Sequence, residues 1–203
     1  YDFPPPGIPD RGGTVQELTL IPRPLYPYET WQAITSPPTL EVVPKRGWGG
    51  VFWNSHPTFI KSQWDRFAEL YEESQNQSLE SGEKRMLVRC VCVADTYEEA
   101  VESVRPGHDE FWKFLGPYGW SKGYMGPDGK PSKAGLIPTL EDSLEQKIWI
   151  VGSADDVGEQ IEWYRDLLGV ENLMLFPMMP GDSYESGTDQ LHRLAEDVLP
   201  KFT

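Results

Sequence analysis

The sequence predicts an α/β protein with a parallel sheet of four βα units, which is half of a barrel of the (β/α)8 TIM-barrel type. Short apolar runs alternate with helical segments, an order typical of βα repeats. The strongest run, 85–94, is almost continuously apolar, as expected for a strand covered on both faces. The chain also begins without a methionine in a proline-rich stretch, so we expect it to start within a longer protein. A small open sheet is the alternative.

The first two units lie between residues 30 and 83. The apolar run Trp31–Ile34 predicts the first strand. Ser36 is placed to cap a helix over Thr39–Lys45, because prolines suit the first turn of a helix. Gly50–Trp53 predicts the second strand, and apolar residues at helical spacing predict a helix from Thr58 to about Ser74.

The third unit is built on the predicted strand Arg85–Ala94. Thr96 begins a capping-box pattern for the next helix. That helix is predicted to end near Val104, because proline and glycine at 106–107 interrupt it before a second helical stretch over His108–Leu115.

The last part of the chain repeats the pattern. An apolar run at 148–153 leads into a helix over Ala154–Leu168, which Gly169 ends. Asn172–Phe176 predicts the fourth strand, and Thr188–Leu199 predicts the last helix.

Residues 1–203 are predicted to form one domain with two irregular segments. Segment 1–29 is an extended loop, with a short strand near Val15–Leu20, because its prolines and glycines exclude a long helix. Segment 116–141 is rich in glycine and proline and carries three aromatic residues. Loops of this length in compact domains are often functional, so we expect a lid-like insertion.

The composition excludes several partners. The chain has 18 basic and 32 acidic residues, a net charge of −14, which repels phosphate backbones and anionic lipid. We therefore expect no nucleic-acid or membrane partner. Cys90 and Cys92 are two apart in one strand, where a disulfide is strained, so both are expected to be reduced, as in a cytoplasmic protein. No histidine or cysteine has metal-ligand spacing, so no metal site is expected.

Three segments carry a resemblance to a known family. Residues 33–53 include AITSPPTLE, KRGWG and VFW, residues 150–157 read IVGSADDV, and residues 168–176 read LGVENLMLF. In order and spacing the chain, from about residue 14 to its end, resembles the C-terminal half of the luciferase-like monooxygenases. That family has a (β/α)8 barrel fold, and much of its catalytic machinery lies on the other half of the barrel.

The resemblance implies a flavin-dependent monooxygenase, in which reduced FMN and O2 oxygenate a small-molecule organic substrate. It implies that Thr35, Ser36 and Thr39 contact the flavin phosphate and that Trp53 approaches the flavin ring. A flavin reductase would supply reduced FMN, and a homodimer is expected. An F420-dependent oxidoreductase of the same fold is the close alternative. Arg46 does not correspond to the phosphate-binding arginine of the family.

Several assignments stay open at this stage. Ser36 either contacts the phosphate or serves as a helix cap alone, and Trp53 either lies near the flavin ring or packs in the core. His56 either bonds a ligand or is an ordinary loop residue, whereas His108 and His192 are expected at the surface. No catalytic acid or base stands out.

Arg89, in the middle of an apolar strand, needs a partner. We expect it to point into the barrel, either to a carboxylate in a structural ion pair or to a bound anion. Cys90 and Cys92 would then pack on the opposite face.

A second class of function is a non-catalytic half-barrel subunit. An open half barrel exposes strand edges, and such edges invite pairing with another chain.

Overall fold

A computed structural model of the chain describes residues 24–133 and 135–202. The strand predicted near Val15–Leu20, and most of the loop predicted over 1–29, lie outside the described residues. Residues 24–29 are exposed and belong to no helix or strand, in agreement with the predicted loop.

The sheet has five parallel strands, one more than the sequence predicted. They are β1 (Trp31–Ala33), β2 (Gly49–Trp53), β3 (Arg85–Val93), β4 (Trp149–Gly152) and β5 (Asn172–Phe176). The additional strand, β4, lies in the apolar run at 148–153, for which the sequence pattern predicts only the approach to a helix. All four of its residues are buried, as expected for a parallel strand covered on both faces.

The nine-residue strand β3 organises the sheet. Its residues Met86–Val88 pair with both β2 and β5, so those two strands lie on opposite edges of β3. Its C-terminal residues Cys90–Val93 pair with β4. The order is β1-β2-β3-β4 with β5 on β3, an open parallel sheet. This confirms the α/β class and agrees with part of a barrel.

Six α-helices follow the strands in the described part of the chain. They are α1 (Pro37–Lys45), α2 (Pro57–Gln75), α3 (Tyr97–Leu115), α4 (Leu140–Glu145), α5 (Ala154–Leu168) and α6 (Tyr184–Arg193). The predicted bounds of α5 are confirmed, because Ser153 and Asp156 form its capping box and Gly169 ends it in the left-handed region with φ 64°. The predicted last helix continues from α6 through a π turn and a 3-10 turn to Phe202.

The interruption predicted at residues 106–107 is wrong, since α3 runs through it. Pro106 is exposed, and because proline has no N–H, the helix lacks one backbone hydrogen bond there. Gly107 is buried where the chain passes close to α3, and a Cβ there would lie 2.4 Å from Met179 Cβ. The close packing of this face keeps the helix continuous.

Helices cover both faces of the sheet. One face packs against α1, α2 and α5, and its core includes Phe52, Leu87 and Val91. The other face packs against α3 and α4, and its core includes Cys90 and Trp149. We call these the α5 face and the α3 face. None of the described helices is both long and apolar enough to cross a membrane.

Candidate cofactor site

The first predicted site group lies at the start of α1, after the carboxyl end of β1. Ser36 is extended (φ −157°, ψ 158°) and caps the helix by accepting a hydrogen bond from the Thr39 backbone N–H (3.4 Å). The hydroxyl oxygens of Ser36 and Thr39 lie 2.6 Å apart, and Thr35 is exposed beside them. The predicted capping role of Ser36 is confirmed.

The backbone at this helix start offers few free donors. Pro37 and Pro38 occupy the first two helical positions and have no N–H. The Leu40 N–H donates to the Ser36 carbonyl (3.1 Å), and the Thr39 N–H is taken by the cap. An anion here would therefore meet hydroxyl groups and the positive end of the helix dipole, with no acidic residue in the first turn.

Trp53, the last residue of β2, is half-buried in a cluster of aromatic rings. Its ring centroid lies 5.9 Å from Phe111, 5.7 Å from Trp120 and 6.2 Å from Phe176. The first two contacts are edge-to-face, a favourable geometry for aromatic pairs. Its indole N–H is buried and, apart from the Cys90 thiol on the same face, has no hydrogen-bond acceptor among the described residues.

The sheet brings these two groups to one edge. Ala33 of β1 is in register with Val51 of β2, and Thr35 and Trp53 each follow two residues later. Because carboxyl ends of parallel strands share one edge, the α1 start and Trp53 lie at neighbouring positions on it. This is the edge at which open α/β sheets and barrels bind ligands.

His56 has a structural role close to this edge. It caps α2, and its Nδ1 accepts a hydrogen bond from the Thr58 N–H (3.2 Å). Burial lowers the pKa of His56 below its ordinary value of 6.5, and the Arg89 charge acts in the same direction. His56 is therefore neutral at pH 7, with its proton assigned to Nε2 because Nδ1 is an acceptor.

Arg89 is fully buried on the α5 face and has no carboxylate within 4.0 Å among the described residues. Its guanidinium donates to Tyr164 Oη (2.9 Å) and to the carbonyl oxygens of Ser55 (3.0 Å) and Val88 (3.2 Å). It also lies over the Tyr164 ring. The predicted ion pair is therefore wrong for the described residues, because neutral acceptors replace the carboxylate. The side chain points under α5, where a helix covers it, and does not line an open interior.

The segment predicted as a lid is anchored at its centre. Gly123 packs on the end of β2, where a Cβ would lie 2.3 Å from Ser55 Oγ, and its carbonyl accepts the His56 N–H (2.7 Å). Tyr124 is fully buried, and Ser121 Oγ donates to the Leu136 carbonyl (2.6 Å). Two short 3-10 turns shape the start of the segment.

His108 is fully buried, so its predicted surface position is wrong. A continuous α3 places residues 104, 108, 111 and 112 on one face against the sheet. His108 Nε2 lies 2.8 Å from Ser143 Oγ, and Ser143 Oγ lies 2.7 Å from Tyr124 Oη. His108 Nδ1 lies 3.1 Å from an Asp109 carboxylate oxygen. This chain joins α3, α4 and segment 116–141.

His192 and the two cysteines lie where the sequence predicts them. His192 is exposed, and Cys90 and Cys92 are free thiols buried on the α3 face. Burial raises the pKa of Cys90 to about 12 and that of Cys92 to about 11, so neither is a thiolate nucleophile at pH 7. Arg46 ends α1, at the opposite end from Ser36, and stacks on Trp48. No group of three potential metal ligands occurs in the described ranges.

Sequence reasoning missed the contacts that surround Trp53. From the sequence, Trp120 is only an aromatic residue in a predicted loop, and Phe176 is only the last residue of a predicted strand. Their contact with Trp53 depends on how segment 116–141 and β5 pack, which no local pattern encodes.

An open parallel sheet with helices on both faces defines an α/β protein and agrees with part of a barrel. The family model for luciferase-like monooxygenases matches residues 10–171. The chain belongs to the luciferase-like monooxygenase family, which confirms the resemblance. A search of curated proteins found no match.

Solved structures of similar fold agree with this assignment. The FMN-bound oxygenating component of 3,6-diketocamphane monooxygenase from Pseudomonas putida is 20% identical, with a TM-score of 0.65, over 84% of this chain and 47% of that one. A monooxygenase from Streptomyces bottropensis is 15% identical, with a TM-score of 0.62, over 86% and 48%.

A second kind of protein shares the fold. The F420-dependent tetrahydromethanopterin reductase of Methanopyrus kandleri is 16% identical, with a TM-score of 0.56, over 85% of this chain and 50% of that one. The chain therefore spans about half the length of these structures.

Proposed function

We propose that this chain forms part of a flavin-dependent monooxygenase that uses reduced FMN and O2 to oxygenate a small organic substrate. Membership of the family and the likeness to an FMN-bound oxygenating component support this proposal. The observation that carries it is the pair of hydroxyl groups at the start of α1, next to Trp53 along the same sheet edge.

The start of α1 suits one end of FMN. Ser36 and Thr39 present adjacent hydroxyls, Thr35 adds an exposed third, and the helix dipole favours an anion there. We assign them to the flavin phosphate. Since Pro37 and Pro38 remove two backbone donors, these hydroxyls carry the interaction, and a cation from outside the described residues would complete the charge balance.

Trp53 suits the ring end of FMN. It is partly exposed at the carboxyl end of β2, and aromatic neighbours fix its ring. A fixed indole offers a flat apolar wall to an isoalloxazine ring.

Bound reduced FMN would supply the electrons that activate O2. The residues of this chain hold the phosphate, limit the movement of the ring and exclude water from one side of it. His56 is neutral and can donate a hydrogen bond from Nε2, but no described residue near Trp53 is identified as a catalytic acid or base.

F420 is the alternative cofactor, because F420-dependent enzymes also share this fold. The family further suggests a flavin reductase as electron source, a homodimer and a cytoplasmic location, and we keep these as parts of the proposal. A non-catalytic half-barrel subunit is the other candidate function, favoured by the open edges of β1, β4 and β5, each of which pairs with one strand in the described sheet.

Comparison of FMN with riboflavin, which lacks the phosphate, tests the proposal. Thr39→Val removes one hydroxyl and keeps the backbone cap, so it should weaken FMN binding about tenfold, as expected for a hydrogen bond to a charged group. Riboflavin binding should not change. Thr188→Val, a half-buried threonine on α6, is the matched control and should alter neither affinity.

Fluorescence titration of the purified chain measures both affinities. Equal losses for FMN and riboflavin, or no preference of the wild type for FMN, would contradict the phosphate assignment. Tighter binding of F420 than of FMN would favour the F420-dependent reaction. If the folded chain binds neither FMN nor F420, the result would favour the non-catalytic subunit.

A further inference from the structure

We propose that a groove beside β4 binds a small organic amine in its ammonium form. The groove is lined by the end of α4, by α5 and by the first residue of α3, and its volume of about 370 Å³ lies within the range of small-molecule sites. We call it the amine groove. It shares no residue with the candidate cofactor site, so the inference does not rest on the proposed function.

Two partly exposed aromatic side chains line the amine groove. Tyr97 of α3 is 44% exposed, and Trp163 of α5 is 37% exposed. The faces of such rings carry partial negative charge and attract cations. One ring already holds an ammonium group, because Lys147 Nζ lies 5.0 Å from the centroid of the Trp163 ring. The lysine of the chain itself thus shows that an ammonium group fits against this ring.

Two carboxylates of α5 line the same groove without a cationic partner. Asp156 Oδ2 accepts the Ser153 N–H (2.9 Å) in the capping box, and these hydrogen bonds hold the pKa of Asp156 below its ordinary value. The ion pairs that α5 forms in the described part of the chain involve Asp155 and Glu162, not Asp156 or Glu159. The groove therefore holds two carboxylates and one ammonium group, a balance that a second positive charge would complete.

Gln160 adds a neutral acceptor to this set. Its Nε2 donates to the carbonyl oxygens of Val151 and Asp156 (both 3.0 Å), which fixes the orientation of the amide. The amide oxygen is left without a hydrogen-bond donor among the described residues.

These groups select an alkylammonium compound. An ammonium group carries three N–H donors for the carboxylate and amide oxygens, and an alkyl stem lies well along aromatic rings. A neutral alcohol of the same length brings one donor and no charge. An anion would meet two carboxylates and gain only the single lysine.

A matched pair of compounds tests the inference with the purified chain. At pH 7, 5-aminopentan-1-ol carries an ammonium group, whereas pentane-1,5-diol has the same length and no charge. NMR titration of the backbone amides of α5 measures both affinities. We expect the amine to bind about tenfold more tightly than the diol, since the diol lacks the charge that the rings and carboxylates attract.

Two variants of α5 should weaken amine binding. Trp163→Leu removes the aromatic face and should cost about fivefold in affinity. Glu159→Gln removes one carboxylate charge and should cost about threefold, as expected for an exposed ion pair. Glu162→Gln is the matched control, because Glu162 lies on the same helix, pairs with Arg165 (3.7 Å) and does not line the groove. It should leave the affinity unchanged.

Lys147→Met should have the opposite effect. It removes the ammonium group that lies over the Trp163 ring and keeps the backbone carbonyl that accepts the Tyr164 hydroxyl. The vacated ring should then bind the amine about fivefold more tightly. Lys61→Met removes the same charge from an exposed position on α2, outside the lining of the groove, and should change the affinity little.

Three results would overturn the inference. They are equal affinities for the amine and the diol, equal losses in Glu159→Gln and Glu162→Gln, and equal affinities in Lys147→Met and Lys61→Met. The last two would mean that the acidic chain as a whole attracts the amine, without a site. Far-UV circular dichroism confirms that each variant is folded, and the exposed positions of Lys147 and Glu159 keep the test available if Trp163→Leu does not fold.

Discussion

The two faces of the sheet hold a buried polar side chain in opposite ways. On the α5 face, Arg89 is a buried guanidinium held by a tyrosine hydroxyl and two backbone carbonyls. On the α3 face, burial lowers the pKa of His108 below its ordinary 6.5, while the Asp109 carboxylate acts in the opposite direction. The α5 face thus holds a charged guanidinium with neutral hydrogen-bond acceptors, whereas the α3 face favours the neutral form of the imidazole.

The difference follows from what each group can do when it is buried. Arginine cannot lose its proton in a protein, so its five N–H donors must find acceptors. Histidine can become neutral, so it needs one acceptor and one donor only. The Asp109 carboxylate suits the Nδ1–H, which leaves Nε2 as the acceptor. The Ser143 hydroxyl has one proton, and it lies within hydrogen-bond distance of two acceptors for it, Nε2 and the Thr139 carbonyl (3.2 Å), while Tyr124 can donate to its oxygen.

Replacement of Arg89 should produce the largest effect. Arg89→Ala leaves a cavity and removes the donor that serves the Tyr164 hydroxyl and two backbone carbonyls, and we expect it to lower the free energy of unfolding by about 4 kcal/mol. Arg89→Met fills much of the space without a charge, so it should cost only about 1 kcal/mol. Urea denaturation measures both values.

Arg66→Ala is the control for that pair, because Arg66 is a partly exposed arginine on α2 and its loss should hardly move the urea midpoint. If Arg89→Ala and Arg89→Met cost the same, the acceptors around the guanidinium contribute nothing and the cavity explains the loss. If neither variant is destabilised, the buried position of Arg89 is wrong.

The second largest effect should appear in the pH dependence of stability. Because the pKa of His108 is lowered in the folded state, the unfolded chain takes up a proton first as the pH falls. The contribution of His108 to the free energy of unfolding is fully present above pH 6.5, the ordinary pKa of histidine. It decreases as the pH falls from 6.5 to the lower pKa of the folded state. The loss in this window is at most about 1.4 kcal/mol per pH unit.

Histidine variants identify which side chain causes the pH dependence of stability. His108→Gln should flatten the stability curve below pH 6.5, whereas His192→Gln, at an exposed position, should leave it unchanged. The pKa of His56 is lowered as well, so His56→Gln should remove a separate part of the slope. A curve that His108→Gln does not alter would show that His108 is not buried as a neutral group.

The sequence predicts the local features of this fold well. Ser36, Thr96 and Ser153 were expected to cap helices, and each does so by accepting a hydrogen bond from a backbone N–H three residues later. The bounds of α5 also followed from its caps and periodicity. These features depend on interactions between residues close in the chain, which local patterns encode.

Long-range packing explains what the sequence did not predict. The pairing of β5 with β3 joins residues more than 80 positions apart. The burial of His108 depends on α3 continuing through Pro106, and the contact of Trp120 with Trp53 depends on the fold of segment 116–141. For the candidate site, the sequence and the family resemblance named Thr35, Ser36, Thr39 and Trp53. The phosphate and ring roles of these residues stay predictions.

The smallest effect concerns the charges around His108. Arg105 Nη2 lies 2.7 Å from Glu141 Oε1 in an exposed ion pair that joins α3 to α4. The Arg105 charge lowers the pKa of His108, and the Glu141 charge raises it. Arg105→Gln should therefore raise the pKa of His108, and Glu141→Gln should lower it. Stability should change little in either variant, since exposed ion pairs contribute little.

NMR titration of the imidazole nitrogens can resolve shifts too small to appear in the urea midpoint. Tyr97, exposed at the start of α3, offers a neutral control position, and Tyr97→Phe should leave the titration of His108 unchanged. Shifts of opposite sign in the two charge variants would show that His108 responds to charge through the protein. Shifts of the same sign would mean that both substitutions act by opening the contact between α3 and α4. In that case, exposure of the ring to water, and not the field of its neighbours, would control its proton.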